Sequence, residues 1–133
     1  MLRVFLSYRM ADRHGRDTVT AGLPDVAVED YPVDSRYDLD WKIICGKMIA
    51  EADGVVVLVG PTTADSAAVR WEIKWTAHLG KPILGVWWGP RGSVLPEGLP
   101  ADRVHDWDPA RIRKELETWS ATDPRVPHSV TTT

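Results

Sequence analysis

Cysteine occurs once and phenylalanine once in 133 residues. A single Cys45 excludes an intramolecular disulfide framework and any zinc knuckle built on paired thiolates. His14, His78, His105 and His128 have no Cys or His neighbours at zinc-finger spacing, so no metal site is expected. Positive charge is not in excess. With 16 Lys and Arg against 19 Asp and Glu the net charge is −3, which argues against a general nucleic-acid or membrane-surface binder. No apolar stretch reaches the roughly 18 residues of a membrane span. The opening Met1 to Ser7 reads as a strand and not as a secretion signal, so the expectation is a cytoplasmic protein with a reduced thiol. Glycine fingerprints for phosphates are also missing: Gly60-Pro61-Thr62-Thr63 lacks the glycines and the lysine that wrap a phosphate.

What the chain does have is tryptophan, seven of them at positions 41, 71, 75, 87, 88, 107 and 119. Most are expected to pack in or just under a core. It also has a strand, helix and strand between Ala52 and Trp88. Val55 to Val59 is a β-branched and aliphatic run between glycines, too short for a helix and apolar on both sides, as a strand buried on both faces requires. Thr62, Thr63, Asp65 and Ser66 are capping types that open a helix, and Gly80 followed by Pro82 closes it. Ile83 to Trp88 is the second strand of this right-handed βαβ unit.

Around this centre the pattern predicts a first strand over Leu2–Ser7, a helix over Ala11–Ala21 and a second, edge strand over Asp25–Tyr31. A loop over Glu29–Leu39 leads to a helix over Asp40–Ala52 with Trp41, Ile44, Met48 and Ile49 on one face. Beyond the Gly/Pro-rich connection that starts at Gly89, a short strand over Arg103–Trp107 and a helix opened by Asp108-Pro109 follow, with Ile112, Leu116 and Trp119 as its apolar stripe. Strands alternating with helices give one three-layer α/β domain, flavodoxin-like with a five-stranded parallel sheet, over residues 1–120, and a polar tail over 121–133. In such sheets ligands bind outside the carboxyl ends of the strands where strand order reverses, which puts Ser7 to Arg9 and Gly60 to Ser66 on one rim with the loop over 31–38 beside it.

The candidate chemistry narrows to one carboxylate. Stepping by 100° per residue places Val69, Ile73, Thr76 and Ala77 on the sheet side of the central helix. Trp71, Trp75 and His78 fall nearly opposite, with Glu72 between. The commoner role of such a glutamate is a solvated helix residue or an ion pair with Arg70, Lys74 or Arg9. The other role is catalytic. The tryptophan stripe has no evident partner in its own chain: it is either a second buried face or a contact surface for another subunit. A lone carboxylate limits the reaction class. Hydrolysing an ordinary sugar ether takes two carboxyls, because the departing oxygen must be protonated. Nicotinamide leaves NAD as a neutral base, so one ionised carboxylate beside the ribosyl oxocarbenium suffices.

Val4-Phe5-Leu6-Ser7-Tyr8 followed by Asp12, Ala52-Asp53-Gly54-Val55, Ser66 to Trp71-Glu72, and Gly80-Lys81-Pro82-Ile83 together resemble a TIR domain over roughly residues 2–120. The likeness is closest to the TIR-like proteins of the bacterial Thoeris antiphage system. The resemblance implies a flavodoxin-like fold and a catalytic Glu72. It implies NAD as substrate and no separate cofactor, held by Ser7, Tyr8 and Arg9 after the first strand and covered by a loop carrying Asp34 and Arg36, with Ser66 and Trp71 also at the substrate. It further implies nicotinamide release, a cyclic ADP-ribose-type product acting on an effector, self-association through TIR surfaces such as the Trp71/Trp75 face, and a phage-derived trigger. The segment Ala67-Ala68-Val69-Arg70 before Trp71-Glu72 departs from many TIR domains, which carry a cysteine between the tryptophan and the glutamate. Two other functions fit the same residues: a non-catalytic interaction module, and a nucleoside or nucleotide N-glycosidase resembling the deoxyribosyltransferases.

Overall fold

In a computed structural model, residues 2–31 and 40–121 are described. Five strands, β1 (Arg3–Ser7), β2 (Ala27–Glu29), β3 (Gly54–Val59), β4 (Ile83–Trp87) and β5 (Val104–His105), form one sheet in the order β2-β1-β3-β4-β5. Every pairing is parallel. Among the described residues four α-helices accompany them: α1 (His14–Gly22), α2 (Trp41–Glu51), α3 (Ala67–His78) and α4 (Pro109–Ala121). This is the expected flavodoxin-like arrangement. β2 lies at an edge, as its polar neighbours imply, and strand order reverses between β1 and β3.

Strand periodicity sorts the core into two layers. Val4 and Leu6 of β1, Val56 and Leu58 of β3, and Leu84 and Val86 of β4 face α1 and α4, where Val19, Leu23, Ile112, Leu116 and Trp119 meet them. The alternate positions Phe5, Val55, Val57 and Val59 face α2 and α3 and pack on Cys45, Ile49, Val69 and Ile73. All six residues of β3 are buried, because helices cover both sides of the central strand.

Polar motifs fasten the N-terminal edge. The buried Asp53 accepts the Arg3 amide at 2.8 Å, joining the starts of β1 and β3. The Lys81 ammonium donates to the Ala52 carbonyl at 2.9 Å, beside the end of α2. At Gly54 a Cβ would fall 2.5 Å from the Trp119 ring and 2.8 Å from the Pro82 carbonyl oxygen, so only glycine lets the strands and α4 approach this closely.

The first helical segment is split. Met10–Asp12 forms a 3-10 turn and α1 starts only at His14. The capping residues before α3 are divided likewise: Thr63–Asp65 is a 3-10 turn, and Ser66 is the cap, accepting the Val69 amide at 3.2 Å. Gly80 ends the helix region with a positive φ of 68°, as its position predicts. The predicted last strand is only two residues long. Ala121, expected to begin the tail, is the last residue of α4, and the remainder of that tail lies outside the described residues. Among the described residues no helix is long and apolar enough to cross a membrane.

Candidate functional site at the carboxyl end of strand β1

Ser7 ends β1 two residues after Phe5 and therefore points to the α2/α3 side of the sheet. There its Oγ donates to Glu72 Oε1 at 2.6 Å. Cys45 Sγ, from α2, donates to Glu72 Oε2 at 3.5 Å. Thr76, one turn along α3, turns its hydroxyl back onto the Glu72 carbonyl at 2.7 Å. Glu72 is 1 % exposed. It is thus neither a solvated glutamate nor ion-paired to Arg70, Lys74 or Arg9: it shares the sheet-facing side of α3 with Ala68, Val69, Ile73 and Thr76. Ala77, expected on that side, is exposed instead.

Burial disfavours the charged carboxylate and pushes its pKa up to about 7, against the opposing pull of the Ser7 and Cys45 hydrogen bonds. Burial and the adjacent Glu72 likewise push the Cys45 thiol well above its ordinary range, so it is a protonated donor. The carboxylate of Asp30 raises both groups and marks the end of β2 as part of the same electrostatic neighbourhood.

Tyr8, one residue on from Ser7, points to the opposite side of the sheet. Its hydroxyl donates to Asp30 Oδ2, and Arg16 of α1 donates to Asp30 Oδ1 at 3.0 Å. Burial and this hydrogen bond raise the phenol further, so Tyr8 stays protonated. A cleft of about 600 Å³ opens here, lined by Tyr8, Met10, Arg13, His14, Arg16 and Asp30 among others. Arg9 reaches across the β1–β3 reversal to the Thr62 carbonyl at 3.0 Å. Asp12 is buried against Gly60, where any Cβ would overlap its carboxylate. Its pKa is raised by burial, with His14 and Arg9 opposing.

A family model described as the Thoeris protein ThsB, TIR-like domain, matches residues 5–91. The chain belongs to the Thoeris ThsB TIR-like family. No curated protein matches it in sequence. A solved structure, a 3-dehydroquinate dehydratase-like protein from Bifidobacterium longum, superposes with a TM-score of 0.54 at 14% identity, covering 92% of this chain and 98% of that one. At that identity the likeness is one of fold, and it agrees with the parallel five-stranded sheet.

For this TIR-like chain the expected site residues separate into groups. Ser7 and Glu72 come together, while Tyr8 lies across the sheet with Asp30 and Arg16. Ser66 uses its hydroxyl as a helix cap. Asp34 and Arg36 lie outside the described residues. Trp71 lies on the outer side of α3. The tryptophan stripe does have a partner in its own chain: Trp71 stacks on Trp75 at 5.9 Å, Trp41 of α2 meets Trp71 edge-on at 5.3 Å, and Trp75 Nε1 donates to the Gly46 carbonyl at 3.1 Å. A Cβ at Gly46 would lie in ordinary contact with these rings, 3.4 Å from Trp75 Nε1 and 3.5 Å from the Trp71 ring. All seven tryptophans pack in or against the two core layers, as anticipated for most of them.

Sequence reasoning missed Cys45 as a partner of Glu72 and missed the Tyr8–Asp30–Arg16 cluster. Cys45 had one signal, its place one turn from both Trp41 and Ile49 on a helix due to pack on the sheet; Ile44, expected on that face, is exposed, and Cys45 is buried instead. The approach of Asp30 to Tyr8 depends on how far β2 extends, which residue types do not reveal.

Proposed function

We propose that this chain is an NAD-cleaving enzyme of antiphage defence, with Glu72 as its catalytic carboxylate. The observation that carries the reading is a fully buried glutamate, held by a serine from the carboxyl end of β1, with its pKa pushed up to about 7. Burying a carboxylate costs stability, and an interaction scaffold gains nothing from that cost, whereas active sites are where such shifts concentrate. The family membership supports the same reading.

In the proposed reaction the bond between ribose C1′ and the nicotinamide nitrogen breaks. Its electron pair returns to the pyridinium, which departs neutral and needs no proton. The ionised Glu72 stabilises the oxocarbenium left on the ribose, with Ser7 fixing the carboxylate's orientation. Attack on C1′ by a nitrogen of the adenine closes a cyclic ADP-ribose-type signal for an effector, and attack by water gives ADP-ribose. Exclusion of water decides between the two. Glu72 is covered in the chain as it stands, so the proposal includes an opening step, coupled to self-association and set off by a phage-derived trigger.

Purified protein, alone and concentrated into assemblies, is incubated with NAD, and nicotinamide and ADP-ribose products are followed by mass spectrometry. Release that disappears in Glu72→Gln supports the proposal. No release in any assembled or phage-challenged condition overturns it, and release from nucleosides but not NAD selects the N-glycosidase function instead.

A further inference from the structure

On the far side of α3 from the Glu72 carboxylate a groove of about 580 Å³ crosses from α2 to the loop before β5. Trp41 and Trp71 supply half-exposed indole surface, Lys42, Arg70 and Lys74 supply three cations, and Glu97 stands at the loop side. Three cations against one carboxylate is a local positive excess on a chain whose net charge is −3. Among the described residues none of the three cations is held in an ion pair. Lys42 instead holds its ammonium 5.7 Å from the Trp41 ring and 5.8 Å from the Trp71 ring.

Each part has a counterpart in one ligand class. Indole faces take planar heteroaromatic rings, and their stacking is worth having with any base. Lys and Arg side chains with no ion pair among the described residues take phosphate, Arg in fork geometry and Lys as a point charge. A carboxylate at the opposite wall accepts from the exocyclic amino group of a base. Trp71 is held between the edge of Trp41 and the stacked ring of Trp75, itself bonded to the Gly46 carbonyl, so its ring is fixed before a ligand arrives.

We infer that this groove is a site, separate from the buried Ser7–Glu72 pair, for an amino-bearing purine nucleotide. The base lies on the Trp41/Trp71 surface with its amino group toward Glu97, and the phosphates lie among Lys42, Arg70 and Lys74.

Isothermal titration and indole fluorescence with ADP test this directly, whatever the outcome of the NAD assay. Wild-type chain is expected to bind ADP saturably with quenching, and to bind adenosine or inorganic pyrophosphate more weakly. Arg70→Glu with Lys74→Glu, both at exposed positions, is expected to weaken ADP by about tenfold or more. Lys42→Gln provides a milder variant should the double reversal not fold. Glu72→Gln is expected to bind ADP as wild type does. No saturable binding at millimolar ADP, binding unmoved by the groove variants, binding lost with Glu72→Gln, or displacement by a polyglutamate peptide as effective as by ADP would each overturn the inference.

Discussion

Replacing Glu72 with glutamine should make this protein more stable at the cost of its proposed activity. Burial raises the glutamate from its ordinary value of 4.5 to about 7. An acid whose folded pKa lies above its unfolded one binds more protons folded than unfolded between those two values. Stability therefore falls as pH rises through that window, and the penalty is complete above about 7. At about 1.4 kcal/mol per pH unit the penalty comes to about 3 kcal/mol, a large part of the stability of a domain this size. Glutamine carries no charge to desolvate and keeps a carbonyl oxygen for the Ser7 hydroxyl. Urea denaturation at pH 8 should show Glu72→Gln ahead of wild type by about 3 kcal/mol, the gap shrinking to near zero at pH 4.5. A variant that is less stable than wild type, or whose advantage does not change with pH, would refute the desolvation argument and with it the claim that a cost is being retained for function.

Four further outcomes follow from the same geometry. NAD cleavage that needs ionised Glu72 should rise between pH 6 and 8 with a midpoint near 7, measured as nicotinamide release; a flat profile would exclude the role. Ser7→Ala removes the hydrogen bond that favours the charged form, so that midpoint should move upward and the rate at neutral pH should fall by about tenfold. Trp75→Phe keeps most of the ring but removes the indole hydrogen bond to the Gly46 carbonyl, and should cost about 1 kcal/mol in denaturant melts. Gly54→Ala, which drives a methyl into the Trp119 ring and the Pro82 carbonyl, should cost more, about 2 kcal/mol or above.

Much of the fold was legible in residue order. The Val55 to Val59 run, the stop at Gly80 and the start at Asp108-Pro109 placed elements that the structure contains. Boundaries were less so: nothing local separates the Met10–Asp12 turn from α1, because both use helical backbone and differ only in hydrogen-bond span. Of the site, the rim position of Ser7 follows from parallel-sheet topology, whereas Glu72 was singled out by the resemblance to a TIR domain, residue patterns alone favouring a solvated or ion-paired glutamate. The burial of Glu72 did not follow, since helical stepping left it between two faces and the sign was decided by how α2 leans on α3.

Alternating apolar residues, glycine stops and capping side chains act over a few neighbours, and from them the sequence alone determined that this is a doubly wound sheet with a glutamate on the helix after its central strand. The chemistry of that glutamate was decided only in three dimensions. Its donors stand 65 and 27 residues away in the chain, on β1 and α2, and a carboxylate's proton affinity depends on what surrounds it in space and not on what adjoins it in sequence.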